Sequence, residues 1–183
     1  MRRALTRLGP LLLVAAVIWL AQRGLREPPP LPTPAQGPAL RYEMNHMHWV
    51  RLSADGKPEL SADAQVARRY SDDSMQMDVV AVDTLGDDRH PPWHLQSPHG
   101  RVPPNDKRLQ LTHGVVAQRA IGSLEIRTPT LWVDQLRREF YTSDRVVLTG
   151  PQRDTRARGL RGDFDGEHLD LLGDVVSTYA PNS

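Results

Sequence analysis

LQLTHGVV, at Leu109–Val116, decides the reading of this chain. Leu109 and Leu111 alternate with Gln110 and Thr112, and the run closes on a Val-Val pair. Apolar residues at every second position mark a β-strand with one buried face. The same pattern recurs as MQMDVV (Met75–Val80), FYTSDRVV (Phe140–Val147) and LDLLGDVV (Leu169–Val176). The pairs fall at 79–80, 115–116, 146–147 and 175–176, so the spacings are 36, 31 and 29 residues. Repeats of that length, filled with strand-type alternation, indicate a stacked β architecture.

Each run has a partner strand ahead of it: Glu59–Val66, Trp93–Ser97, Leu124–Asp134 and Thr155–Phe164 in turn. Asp, Asn, Gly and Pro clusters separate the partners at Ser71-Asp72-Asp73, Pro103-Pro104-Asn105-Asp106 and Asp165-Gly166, and Arg137-Arg138 marks the remaining turn. A further strand, Arg41–Leu52, runs into Ala54-Asp55-Gly56-Lys57, an Asp-Gly hairpin signal. Gly100, Gly114 and Gly173 interrupt strand patterns and are expected at bulges or kinks.

No hairpin of this size is stable alone, so the expected fold is all-β, a two-sheet sandwich or an open jelly roll of stacked antiparallel hairpins. Alternation assigns the interior face to Leu60, Met75, Met77, Val79, Trp93, Leu95, Leu109, Leu111, Leu124, Ile126, Leu131, Val133, Phe140, Leu169 and Leu171. An interior of aliphatic and Met side chains can pack on itself as an ordinary core. The same lining also suits a groove for acyl chains, though the residues by themselves favour the packed core.

The N-terminus carries a different signal. Leu8–Ala21 is apolar, with Arg2, Arg3 and Arg7 before it and Arg23 and Arg26 after. Trp19 stands three residues from the end of that stretch, where a cleaved leader needs a small residue, so residues 8–25 are expected to form an uncleaved anchor helix. The flanking arginines place residues 1–7 in the cytoplasm and the bulk of the chain in the periplasm. Residues 26–40 form a spacer, and six prolines between Pro28 and Pro38 keep it extended. The β domain then occupies 41–183.

Composition excludes several classes of function. The chain has 183 residues and no cysteine, which removes disulfides, thiolate metal sites and thiol nucleophiles. Beyond Glu27 it holds 18 Lys and Arg against 21 Asp and Glu, a balance of −3 that is no footprint for nucleic acid. The seven histidines, among them His46, His48, His90, His94 and His99, lack the helical spacing of a zinc site. Asp72-Asp73, Asp87-Asp88 and Asp163 with Asp165 sit at turn positions that favour Asp for backbone capping. No nucleophile elbow, P-loop or dinucleotide fingerprint is present. The sequence therefore predicts no enzyme, no cofactor and no metal.

Anchor, spacer and hairpin repeat together resemble the LptC family, the periplasmic bridge of lipopolysaccharide export. The resemblance rests on the Asp55–Lys57 turn with LSADAQV after it, on LEIRTPTLWVD (Leu124–Asp134) and on TSDRVVLTGP (Thr142–Pro151). RGLRGDFDGEHLDLLGDVVSTY (Arg158–Tyr179) extends it, although Ala157-Arg158-Gly159 replaces the family's Gly-x-Gly. The resemblance implies a slightly open β-jelly roll whose interior face cradles the acyl chains of lipopolysaccharide. It implies delivery from an inner-membrane ABC transporter (LptB, LptF, LptG) and transfer to LptA, for outer-membrane assembly. By the same analogy the transporter pairs with the N-terminal edge (Met44, His46, His48, Val50). LptA pairs with the C-terminal edge (Val175, Val176, Ser177, Thr178, Tyr179). A membrane-anchored β-sandwich scaffold or adhesion module, with a packed core and no lipid ligand, is the alternative.

Overall fold

The computed structural model describes residues 37–86, 91–119, 123–164 and 168–179. The anchor at 8–25, the spacer up to Gln36, Asp87-Asp88, His90 and the Asp165-Gly166 turn lie outside them.

Among the described residues twelve strands form one antiparallel sheet: β1 (Leu40–Leu52), β2 (Pro58–Tyr70), β3 (Met75–Thr84), β4 (Trp93–Val102), β5 (Leu109–Arg119), β6 (Leu124–Asp134), β7 (Glu139–Thr142), β8 (Val146–Gly150), β9 (Arg153–Ala157), β10 (Gly159–Asp163), β11 (Leu169–Leu172) and β12 (Val176–Tyr179). The first six pair in sequence order, as hairpins do. The last six are three long strands, each broken once. β7 and β8 both pair with β6, β7 continues to β10 and β11, and β8 continues to β9 and β12. The stretch read as one strand over Thr155–Phe164 is thus two, broken at Arg158.

A single crease crosses the sheet and accounts for those breaks. On β3, Met75 and Met77 face inward, Asp78 and Val79 both face outward, and Val80 and Val82 face inward again. Val79 has a φ of 50°, and its neighbours in the crease include His46 (54°) on β1 and His113 (70°) with Gly114 (97°) on β5. The ladder lacks a partner for Val79 on both sides, and the β4–β5 and β5–β6 registers shift at the same level. Pro98 and Pro129 sit in this line, where a missing donor costs no ladder bond. The crease continues through the β7–β8, β9–β10 and β11–β12 breaks, the last with positive φ at Gly173 and Asp174.

Kinked strands leave backbone groups without ladder partners, and buried hydroxyls take them up. Ser97 Oγ donates to the carbonyls of His99 (2.9 Å) or Thr112 (2.7 Å) and accepts from Thr112 N–H (3.1 Å). Thr128 Oγ1 donates to the Thr130 carbonyl at 3.1 Å, and Thr142 Oγ1 accepts from Asp144 N–H at 3.0 Å. All three side chains are buried, so each replaces water that cannot reach the fold line.

Each strand changes phase at the crease, so both halves of the sheet turn an apolar face to the same interior. One half contributes Met77, Leu109, Leu111, Leu131, Val133, Phe140 and Leu160, and the other Leu60, Val82, Trp93, Leu95, Val115, Ile126, Val146 and Leu148. Gly100 is not a bulge. It lies where Val80, Leu109 and Met77 crowd in, and a Cβ there would stand 3.0 Å from Val80 Cγ2.

Candidate functional site

Among the described residues the interior is a large apolar surface to which the long strands contribute, and alternation alone builds most of it. Leu60, Met77, Trp93, Leu95, Leu109, Leu111, Ile126, Leu131, Val133 and Phe140 are all buried there. Met75, Leu124, Leu169 and Leu171 are half-buried and pack against it. Val79 is a correction. Its side chain is 60% exposed on the outer face, because its positive φ inserts a second outward residue where alternation expects an inward one. The pattern also misses Val82, Val115, Val146, Leu148, Leu160 and Phe164. For Val115 and Val146 the available signal was the first Val of each Val-Val pair, shifted in phase by the fold line.

The interior narrows and opens along its length. At the C-terminal end, Leu124 and Leu148 of one half face Leu169 and Leu171 of the other across a pocket of about 400 Å³, with Thr155 and Arg119 on its walls. At the N-terminal end, Met44 and Met47 of β1 are half-buried against the core. Between these ends the side chains fill the space, and Leu111, Leu131, Val133, Val146 and Leu160 have no solvent exposure.

Away from the crease the two halves meet along a seam. Arg51, near the end of β1, donates to the main-chain carbonyl of Gln135 in the β6–β7 turn. Glu59 accepts ion pairs from Arg51 and from Arg138, each at 3.5 Å. Beneath them Trp93 packs on Phe140, with ring centroids 5.1 Å apart, and Phe140 packs on Phe164 at the same distance. Gly162 makes room for the Phe140 ring. Neither the seam ion pairs nor Phe164 follows from strand alternation.

Among the described residues the sheet has two free edges. β1 pairs only with β2, and β11 and β12 pair only with β10 and β9. His48 and Val50 are exposed on β1, Met44 turns inward, and His46 sits at the kink. Val176, Ser177, Thr178 and Tyr179 form β12 and are all exposed, with Val175 in the connection before it.

The outer face is polar and cross-linked. His48 pairs with Asp63 (2.7 Å), His94 with Asp83 (2.5 Å) and His99 with Asp78 (2.9 Å). Arg68 bridges Glu43 and Asp78, which holds the Asp78 carboxyl below the usual carboxylate range, with help from His99. A second pocket of about 410 Å³ lies against Trp132, Tyr141 and Arg108. There Asp106 is clamped by Arg108, which lowers its pKa and raises that of the guanidinium. Arg161–Glu139 and Arg137–Asp134 pair beside it. Among the described residues no three His, Asp or Glu side chains converge as a metal site would require.

No curated protein sequence matches this chain. The family model described as "Lipopolysaccharide-assembly, LptC-related" matches residues 10–180, nearly the whole sequence. That match, together with an open antiparallel sheet folded around an apolar interior, assigns a role in lipopolysaccharide transport in the cell envelope, within a family of transport proteins rather than enzymes. The chain belongs to the LptC family of lipopolysaccharide-assembly proteins.

Proposed function

We propose that this chain is a non-enzymatic carrier that shelters the acyl chains of lipopolysaccharide between the two halves of its sheet. The observation that carries this reading is the unbroken apolar interior running from one free edge to the other, open at its C-terminal end between Leu124, Leu148, Leu169 and Leu171. An acyl chain exposed to water costs about 0.8 kcal/mol per CH₂, so a continuous greasy lining removes the main barrier to crossing the periplasm. No bond needs to be broken for that step.

On this reading residues 8–25 anchor the chain in the inner membrane, 26–40 hold the domain away from it, and 41–183 carry the lipid. The β1 edge receives lipid from the LptB/LptF/LptG transporter and the β12 edge passes it to LptA. Main-chain pairing at a free strand edge suits both joints. The inward residues from Leu60 to Leu171 touch lipid only when the halves part, because they fill one another's space in the free chain.

That filling favours a second reading, a membrane-anchored scaffold with an ordinary core. Photo-crosslinking in cells from a reactive amino acid at position 111, with position 110 as control, separates the two. A lipopolysaccharide adduct at 111 and none at 110 supports the carrier. A folded protein that gives no adduct at 111 or at the other inward positions is the scaffold.

A further inference from the structure

Trp93 carries the one buried side-chain nitrogen or oxygen, among the described residues, that has no hydrogen-bond partner. Its ring is 2% exposed and packed against Phe140. The backbone N–H of Trp93 is satisfied by Thr84 Oγ1 at 2.8 Å, so the deficit belongs to the indole alone. An indole N–H is a donor only, and a buried Trp ordinarily finds an acceptor for it. Leaving it unpaired destabilises the free protein, and a folded domain keeps few such groups.

Position says what the acceptor is. Trp93 reaches the seam through its neighbours: its backbone N–H binds Thr84, which lies with Arg51, Glu59, Gln135 and Arg138 around one recess, and its ring packs on Phe140 of the other half. Thr84 and Phe164, which touch Trp93 and Phe140, line a recess there that holds only about 10 Å³, no more than one water. If acylated sugars lodge with chains inside and sugars outside, the boundary between grease and polar groups falls at such a seam. The groups on that boundary are the ester and amide carbonyls that join acyl chain to sugar. They are acceptors, and they lack donors once the chains are buried.

We infer that the Trp93 Nε1–H is a docking donor for an acyl carbonyl of the lipid, the polar anchor in an otherwise apolar interior. The inference rests on the carrier reading and deepens it. The Trp93–Phe140–Phe164 stack becomes the point at which a chain is gripped by its linkage, whatever its length. Leu and Val elsewhere in the interior grip by area alone.

The test is the indole ¹H–¹⁵N resonance of Trp93 in the full chain in detergent, assigned by Trp93→Phe. Three probes are added in turn: lipopolysaccharide, an amide-linked fatty-acyl glucosamine, and an alkyl glucoside of equal chain length with no carbonyl. The first two are expected to move the resonance downfield and slow its exchange with solvent, and the third is not. Trp93→Phe is expected to weaken lipopolysaccharide binding about tenfold, the size of one buried hydrogen bond. It leaves the free chain with its aromatic contact and one unpaired donor fewer. Lipopolysaccharide binding with an unmoved resonance, or an equal shift with the alkyl glucoside, overturns the inference and leaves the carrier intact. Absence of lipopolysaccharide binding to folded wild-type chain overturns the carrier itself.

Discussion

Arg51 and Gln135 stand 84 positions apart in sequence, yet the guanidinium of the first donates to the main-chain carbonyl of the second. That bond joins the edge strand β1 to the far half of the sheet, and Glu59 reinforces it by binding both Arg51 and Arg138. The side chains involved are about one-third exposed, so solvent screens them partly. Glu59→Gln is therefore expected to cost only about 1 kcal/mol of stability. Its larger effect is on opening: amide exchange at the seam ends of β1 and β2 should quicken more than at the crease. Uniform exchange along both strands would show that the seam does not hold the halves together.

The fold line makes its own prediction. Ser97→Ala removes the buried hydroxyl that serves the His99 and Thr112 backbone groups, and should destabilise by about 1–3 kcal/mol. A urea midpoint within error of wild type would mean that water reaches the crease.

Val79 points the other way. A β-branched residue with positive φ is strained by roughly 1–2 kcal/mol, and its exposed side chain gives little packing in return. Val79→Asn is expected to leave thermal stability unchanged or raise it, although it places a poor strand former in mid-strand. A clear fall in Tm would show that the kink is maintained by the valine.

Gly162 tests the seam stack. A Cβ there would stand 2.7 Å from Phe140 Cζ and 2.9 Å from Leu169 Cδ1, so Gly162→Ala forces the aromatic ring to move. Overpacking of this kind costs on the order of 1–3 kcal/mol. Equilibrium unfolding measures it, and near-UV circular dichroism should change with it.

Acid behaviour follows from Asp78. Arg68 first and His99 second hold its folded pKa below the ordinary value of 3.8. A depressed carboxylate contributes stability above its unfolded pKa and loses it as pH falls through the folded one. The Tm of the wild type should therefore drop below about pH 4, and Asp78→Asn should flatten part of that drop. Parallel pH profiles for the two proteins would exclude Asp78 as a contributor.

The sequence made the strand faces legible and hid the crease. Alternation at Leu109–Gln110–Leu111 or Trp93–His94–Leu95 is local, so it survives translation into structure without help from the rest of the fold. Val79 failed because a phase change needs only one residue with positive φ, and valine advertises the opposite. The clues lay elsewhere, in Pro98, Pro129 and Gly114, which are poor strand interiors unless the ladder is already broken at their level. The seam was illegible for a different reason. Arg51, Glu59 and Arg138 are ordinary surface residues in sequence, and only the folding of one half over the other brings them together.

The two free edges are unlike: β1 is long, kinked at His46 and carries charged side chains, whereas β12 is four residues, Val176–Tyr179. Pairing of β1 with β1 would close as a two-fold dimer, whereas pairing of β1 with β12 joins copies head to tail, as a ring where the rotation closes and as a filament where it does not. Direction is thereby built into the molecule before any ligand arrives.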